Sequence, residues 1–142
     1  YEDYFYKKAQ EYKDQFSIII DFNMEISRKV YGGADFFLMP SKSEPCGLAQ
    51  MIALRYGTVP IVRQTGGLKD SIVDYGDPEG TGFTFKTYNA HDMLGAIKRG
   101  LGLYREGGEA WEKLVVHNLK QDFSWNRSAQ DYLELYRNII EG

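Results

Sequence analysis

Residues 34–64, ADFFLMPSKSEPCGLAQMIALRYGTVPIVRQ, decide the fold. ADFFLMP (34–40) is a short apolar run stopped by proline, and TVPIVRQ (58–64) is a second. Runs this short and this uniformly apolar read as strands covered on both faces. Between them, GLAQMIALRYG (47–57) has helical spacing, with Leu48, Met51, Ile52 and Leu54 inward and Gly57 as its end. Strand, loop, helix and strand in this order make a parallel crossover unit.

Outward from this unit the pattern continues. QFSIIID (15–21) is β-branched without helical period and is read as a buried strand, and TGFTFKT (81–87) as a further one. MEISRKVY (24–31) reads as a helix closed by Gly32-Gly33, and GLKDSIVDY (67–75) as another. In the opening YEDYFYKKAQEYK, Tyr1, Tyr4, Phe5 and Tyr12 fall at helical spacing. After residue 88 only helices are predicted. Asn89 and Asp92 resemble a capping box, Gly107-Gly108 breaks the run, and Ser124 is placed to cap the last helix. The sum is an α/β chain: a Rossmann-like, doubly wound parallel sheet (1–121) with a helical C-terminal tail (122–142).

Composition narrows the function. The 142 residues are 43% hydrophobic, enough for a core, and 17 basic against 20 acidic residues leave a charge of −3. No basic stripe suits a nucleic acid. The apolar runs are too short to cross a bilayer, and residues 1–13 are unlike a signal peptide. A single cysteine fits a reducing cytoplasm, and no His, Cys and carboxylate cluster has metal-ligand spacing.

Ligands of such sheets bind beyond the carboxyl ends of the strands. Three loops qualify: 21–23, 41–47 and 64–67. In the second, the N–H groups of Gly47, Leu48 and Ala49 precede a helix without intrahelical acceptors, an arrangement suited to phosphate. Glu44 beside them fits either a solvated loop carboxylate or a partner for a sugar that develops positive charge. Cys46 lacks a histidine partner, because His91 and His117 fall in the tail helices, so its backbone rather than its thiol is the candidate contact. QTGG (64–67) is a turn that allows close backbone approach. Phe22 stands just past a strand, where either core packing or stacking on a nucleobase is open.

The stretch GGADFFLMPSKSEPCGLAQMIALRYGTVPIVRQTGGLKDSIVD (32–74) resembles the C-terminal domain of bacterial glycogen synthases and plant starch synthases. EPCGL, YGTVPIVR and TGGL, in that order and spacing, carry the likeness, and FSWNRSAQDYLELY (123–136) is similar to the terminal segment of that family. The resemblance implies a GT-B fold, two Rossmann-like domains facing across a cleft, and a metal-free, cofactor-free hexosyltransferase. Glucose would pass from ADP-glucose to the non-reducing end of an α-1,4-glucan with retained configuration. By motif, Glu44 becomes the catalytic-site carboxylate. Cys46, Gly47, Leu48 and Ala49 would line the glucose and distal phosphate, and Phe22 would lie against adenine. Thr65, Gly66 and Gly67 complete the donor-binding set on its acceptor side.

Two positions depart from the wider pattern. Ile52 stands where related transferases carry a second glutamate, and Ala49 where the family often has threonine. Sucrose- or mannose-handling relatives typically show that glutamate and a phenylalanine after Glu-Pro, so Cys46 and Ile52 point away from them. Family members are several times longer, with a Lys-x-Gly-Gly-Leu loop in an N-terminal domain. The chain by itself is therefore expected to be inactive. Its last helix is expected to cross towards that domain, and to self-associate without it through Trp125, Tyr132, Leu135, Tyr136 and Ile139. The alternative is a non-catalytic nucleotide- or glucan-binding module.

Overall fold

A computed structural model describes residues 1–141. Gly142, the last residue of the expected tail, lies outside the described residues. Three parallel strands form the sheet in the order β1 (Phe36–Met39), β2 (Val59–Arg63), β3 (Phe83–Phe85). Phe36 pairs with Val59 and Met39 with Val62, while Ile61 pairs with Phe83 and Arg63 with Phe85. Helix α3 (Ala49–Arg55) carries the chain from β1 to β2, and α4 (Gly67–Ser71) opens the return to β3. Helices α5 (Ala90–Glu106), α6 (Gly108–Leu119) and α7 (Trp125–Glu141) follow, and α1 (Glu2–Glu11) and α2 (Met24–Gly33) precede the sheet.

The apolar uniformity of β2 has a direct cause, because both of its faces are covered. Val59 and Ile61 pack with Phe83, Phe85, Ala96, Leu103 and Leu114, under α5 and α6. Val62 points the other way, among Leu54, Leu68 and Ile72, under α3 and α4. A central strand buried on two sides has no polar face, which is why alternation is missing from its sequence. Thr58 is the polar exception. Buried before β2, its hydroxyl donates to the carbonyl oxygens of Tyr31 and Ala34 (3.0 Å for Ala34).

The structure corrects four local expectations. Residues 15–21 do not form a strand: Phe16–Ile20 has no regular secondary structure and pairs with no strand among the described residues, and Ile19 and Ile20 are exposed. A β-branched segment without a partner strand is not sheet, whatever its propensity. Helix α4 stops at Ser71, because β-branched Ile72 and Val73 turn extended and Val73 takes the Thr81 hydroxyl while Tyr75 takes the Gly82 carbonyl. In α3 the buried stripe is Gln50, Ala53 and Leu54, whereas Leu48 is 67% and Ile52 is 40% exposed. Asn89 does cap α5, accepting the Asp92 N–H at 2.9 Å. The Asp92 carboxylate reaches further back, to the N–H groups of Lys86 (3.0 Å) and Thr87 (2.6 Å), instead of closing the box on Asn89.

Helices α1 and α7 bury none of their residues. The aromatic spacing of residues 1–12 makes a helix but finds no core, and Trp125, Tyr132, Leu135, Tyr136 and Ile139 all remain exposed along α7. Among the described residues no helix is long and apolar enough to cross a membrane.

One polar cluster ties the β3 edge to α5. Arg99 grips Asp74 with two bonds of 2.7 and 2.8 Å and donates to the Thr84 carbonyl at 2.8 Å. Asp74 also accepts from the Thr84 amide and hydroxyl, each at 2.8 Å, and from the Gly76 amide. Burial alone would raise the Asp74 carboxyl, but Arg99 and Thr84 outweigh it and hold the group far below its ordinary value of 3.8. A depressed carboxyl contributes stability above its unfolded value and loses it as pH falls. Asp74→Asn therefore costs about 2 kcal/mol at pH 7. The gap between the two proteins narrows as pH drops below about 4, which thermal melts between pH 7 and 3 would follow.

Candidate functional site

The site lies where the loops leaving β1 and β2 touch. Pro40 ends β1, and the chain crosses the sheet edge through Ser41–Leu48 before α3 begins at Ala49. Gly47 takes φ +67°, which turns the chain sharply into the helix. Among the described residues, the N–H groups of Gly47, Leu48 and Ala49 have no protein acceptor. Glu44 sits half-buried next to them, its carboxylate accepting a 3.4 Å bond from the Ser41 hydroxyl. Cys46 is a free, exposed cysteine.

The QTGG turn explains itself against this loop. The Gly67 N–H donates to the carbonyl oxygens of Glu44 (3.0 Å) and Pro45 (3.2 Å). A methyl group on Gly67 would overlap the Cys46 carbonyl, and one on Gly66, at φ +45°, the Glu44 carbonyl. The glycines are needed for backbone-to-backbone contact between the two loops. Thr65 is half-buried at the start of the turn, and its carbonyl accepts the Leu68 N–H at 3.1 Å.

Three residues outside the expected site set hold this corner in place. Arg63, at the end of β2, donates to the Ser41 carbonyl at 2.8 Å and to that of Lys42, and its guanidinium lies 5.7 Å from the Tyr88 ring. Its charge is spent on loop carbonyls. Gln50 is fully buried, with its amide nitrogen 2.8 Å from the Gly47 carbonyl and 3.0 Å from the Ser71 hydroxyl. Ser71 in turn donates to the Gly67 carbonyl at 2.6 Å. The signal for Gln50 was present: it is the only polar residue in the apolar run GLAQMIAL. For Arg63 and Ser71 the partners are remote in sequence, and no local pattern marks them.

The structure thus brings Glu44, Cys46, Gly47, Leu48 and Ala49 together with Thr65, Gly66 and Gly67. Phe22 stands apart on the 21–23 turn, where its N–H is held by Asp21 at 2.8 Å and Asn23 caps α2. It is 89% exposed, so core packing does not account for it. Chemically, the corner offers unpaired amides for an anion and one carboxylate for a neutral or cationic group alongside. Among the described residues no three His, Cys, Asp or Glu side chains are grouped to hold a metal ion.

The family model for glycosyl transferases group 1 matches residues 1–106. The chain belongs to the group 1 glycosyl transferases. Within that family it is similar to a glycogen synthase of Desulfitobacterium hafniense, at 47% identity over 98% of this chain and 30% of the relative. Its fold is similar to the catalytic domain of starch synthase IV from Arabidopsis thaliana, solved with ADP and acarbose. The TM-score is 0.85 at 37% identity, over 99% of this chain and 30% of that one. A weaker likeness, TM-score 0.63 at 25% identity, joins it to a sucrose-phosphate synthase from Thermosynechococcus elongatus, over 96% of this chain and 33% of that one. The chain spans about 30% of the length of the curated relatives it matches. The α/β architecture is that of the Rossmann-like C-terminal domain of a GT-B glycosyltransferase, as the resemblance implied.

Proposed function

We propose that this chain is the donor-binding part of a glycogen or starch synthase, which transfers glucose from ADP-glucose to the non-reducing end of an α-1,4-glucan with retention. One observation carries the reading. Three unpaired amides and a half-buried carboxylate share one corner of a glycosyl transferase whose glycogen synthase relative is 47% identical.

Breaking the bond between glucose and diphosphate builds positive charge on the sugar and negative charge on the leaving group. The amides of Gly47, Leu48 and Ala49 suit the latter, and Glu44 suits the former. Both are in place before substrate arrives, so little reorganisation accompanies the reaction. In this reading Cys46 contributes backbone and not thiolate, and Thr65–Gly67 border the acceptor. ADP-glucose is a substrate, and no resident cofactor takes part. The exposed α7 face is the surface that meets the remainder of the protein or, in the isolated chain, another copy. The isolated chain has no transferase activity in this reading, since the acceptor side is supplied elsewhere.

In this reading Phe22, 89% exposed, is the adenine platform, and the starch synthase IV relative, solved with ADP, supports an adenine nucleotide. Calorimetric titration of the intact protein with ADP and UDP tests this. Phe22→Ala weakens ADP binding by about 10-fold or more, the worth of one base stacked on an aromatic ring. An unchanged ADP affinity would remove adenine from that position.

A further inference from the structure

The side chain of Gln50 is 0% exposed, yet it makes no apolar contribution that leucine or methionine could not supply better. What it supplies is a donor between two turns. Its nitrogen faces two carbonyls, that of Gly47 at 2.8 Å and that of Cys46 at 3.5 Å, and the Ser71 hydroxyl at 3.0 Å. Facing carbonyls fix that end of the amide as the nitrogen, because an oxygen there would meet only acceptors. Ser71 accepts from Gln50 and passes its own proton to the Gly67 carbonyl at 2.6 Å. The Gly67 N–H donates back to the Glu44 carbonyl at 3.0 Å.

The result is a closed circuit running from Gly47 through Gln50, Ser71 and Gly67 to Glu44. Every link falls on backbone atoms of the two turns or on the two side chains between them. Of the polar atoms in the circuit, the Gln50 amide oxygen has no partner among the described residues. A fully buried acceptor left unpaired is a standing cost, which marks the donor half of the amide as the part that is needed.

We propose that Gln50 is a positioning residue for glycosyl transfer: by way of Ser71 it sets the turn carrying Glu44 and the unpaired amides at a fixed distance from the Gly66-Gly67 turn. The inference rests on the donor-site reading above and extends it to a buried pair that touches no substrate. Reacting groups displaced by about 1 Å lose on the order of 100-fold in rate, so a loosened turn registers in turnover before it registers in nucleotide binding. In that reading only the distal phosphate of ADP meets this turn, and its adenine lies apart, against Phe22.

The test uses the intact protein with ADP-glucose and glycogen. Gln50→Leu, similar in volume but without the donor, lowers kcat by about 10-fold or more, while the Kd for ADP stays within about twofold. Ser71→Ala lowers kcat in the same direction. The double variant is no slower than Gln50→Leu alone, as befits two links of one circuit. Should Gln50→Leu fail to fold, Ser71→Ala carries the same kcat-against-Kd comparison. The proposal is overturned if folded variants keep wild-type kcat, if ADP affinity falls in step with kcat, or if the two substitutions are additive. Failure of the underlying reading looks different: the wild-type protein would incorporate no glucose, or Glu44→Gln would leave incorporation unchanged, and either outcome takes this inference with it.

Discussion

Glu44→Gln in the intact protein lowers glucose transfer from ADP-glucose by on the order of 100- to 1000-fold and leaves ADP affinity within about threefold. The substitution keeps the shape of the side chain and removes only its charge. Glu44 sits half-buried, takes one long bond from Ser41 and has no ion pair among the described residues. That charge remains available to a sugar that turns cationic as its bond to diphosphate lengthens. Because the cation exists only near the transition state, the loss falls on kcat and spares binding of the nucleotide. Incorporation of labelled glucose into glycogen, beside calorimetry with ADP, separates the two quantities. A variant that keeps more than a tenth of wild-type turnover would remove Glu44 from the chemistry.

Gly67→Ala removes both structure and activity. A single methyl group at that position would occupy the space of the Cys46 carbonyl oxygen, with the rest of the Cys46 backbone close behind. No rotamer relieves this, since the obstacle is main chain. Either the two turns separate, breaking the bonds from Gly67 N–H to Glu44 and Pro45, or α4 shifts off the sheet. The expected destabilisation is roughly 3 kcal/mol or more, at the upper end of overpacking costs. Gly95→Ala is the control, because a methyl there has nothing within 4 Å and lies inside α5. It raises stability by about 0.5–1 kcal/mol, as expected for a glycine inside a helix. Thermal melts of the two variants beside the wild-type protein decide the matter, and equal melting temperatures for Gly67→Ala and wild type would sink the packing argument.

Legibility in the sequence followed the range of the interactions. Strands β1 and β2 were readable as consecutive apolar residues and β3 from Phe83 and Phe85 about Thr84, and Asn89 because a cap acts within three residues. The error at 15–21 has the same origin. β-propensity belongs to the segment, but a strand exists only with a neighbour, and Phe16–Ile20 has none among the described residues. In α3, hydrophobic spacing favoured Leu48 and Ile52 for the interior, and the polar Gln50 took that place because hydrogen bonds to Gly47 and Ser71 reward its burial. For the site, the motif EPCGL and the turn TGGL located the two loops. That Gly66 and Gly67 are shaped by the backbone of Glu44–Cys46 was invisible, since two separate loops must fold before they meet. The Asp74–Arg99 pair, 25 residues apart, was equally out of reach of any local pattern.

The two turns are gripped by their peptide groups: the carbonyls of Ser41, Lys42, Glu44 and Gly47 on one and of Gly67 on the other accept from Arg63, Gln50, Ser71 and the Gly67 amide. Such a mount is indifferent to most of the side chains it displays. Cys46 and Ala49 can therefore be exchanged without unfastening the loop, and under the donor-binding proposal these two positions offer a place to alter which sugar nucleotide is accepted while the scaffold stays as it is.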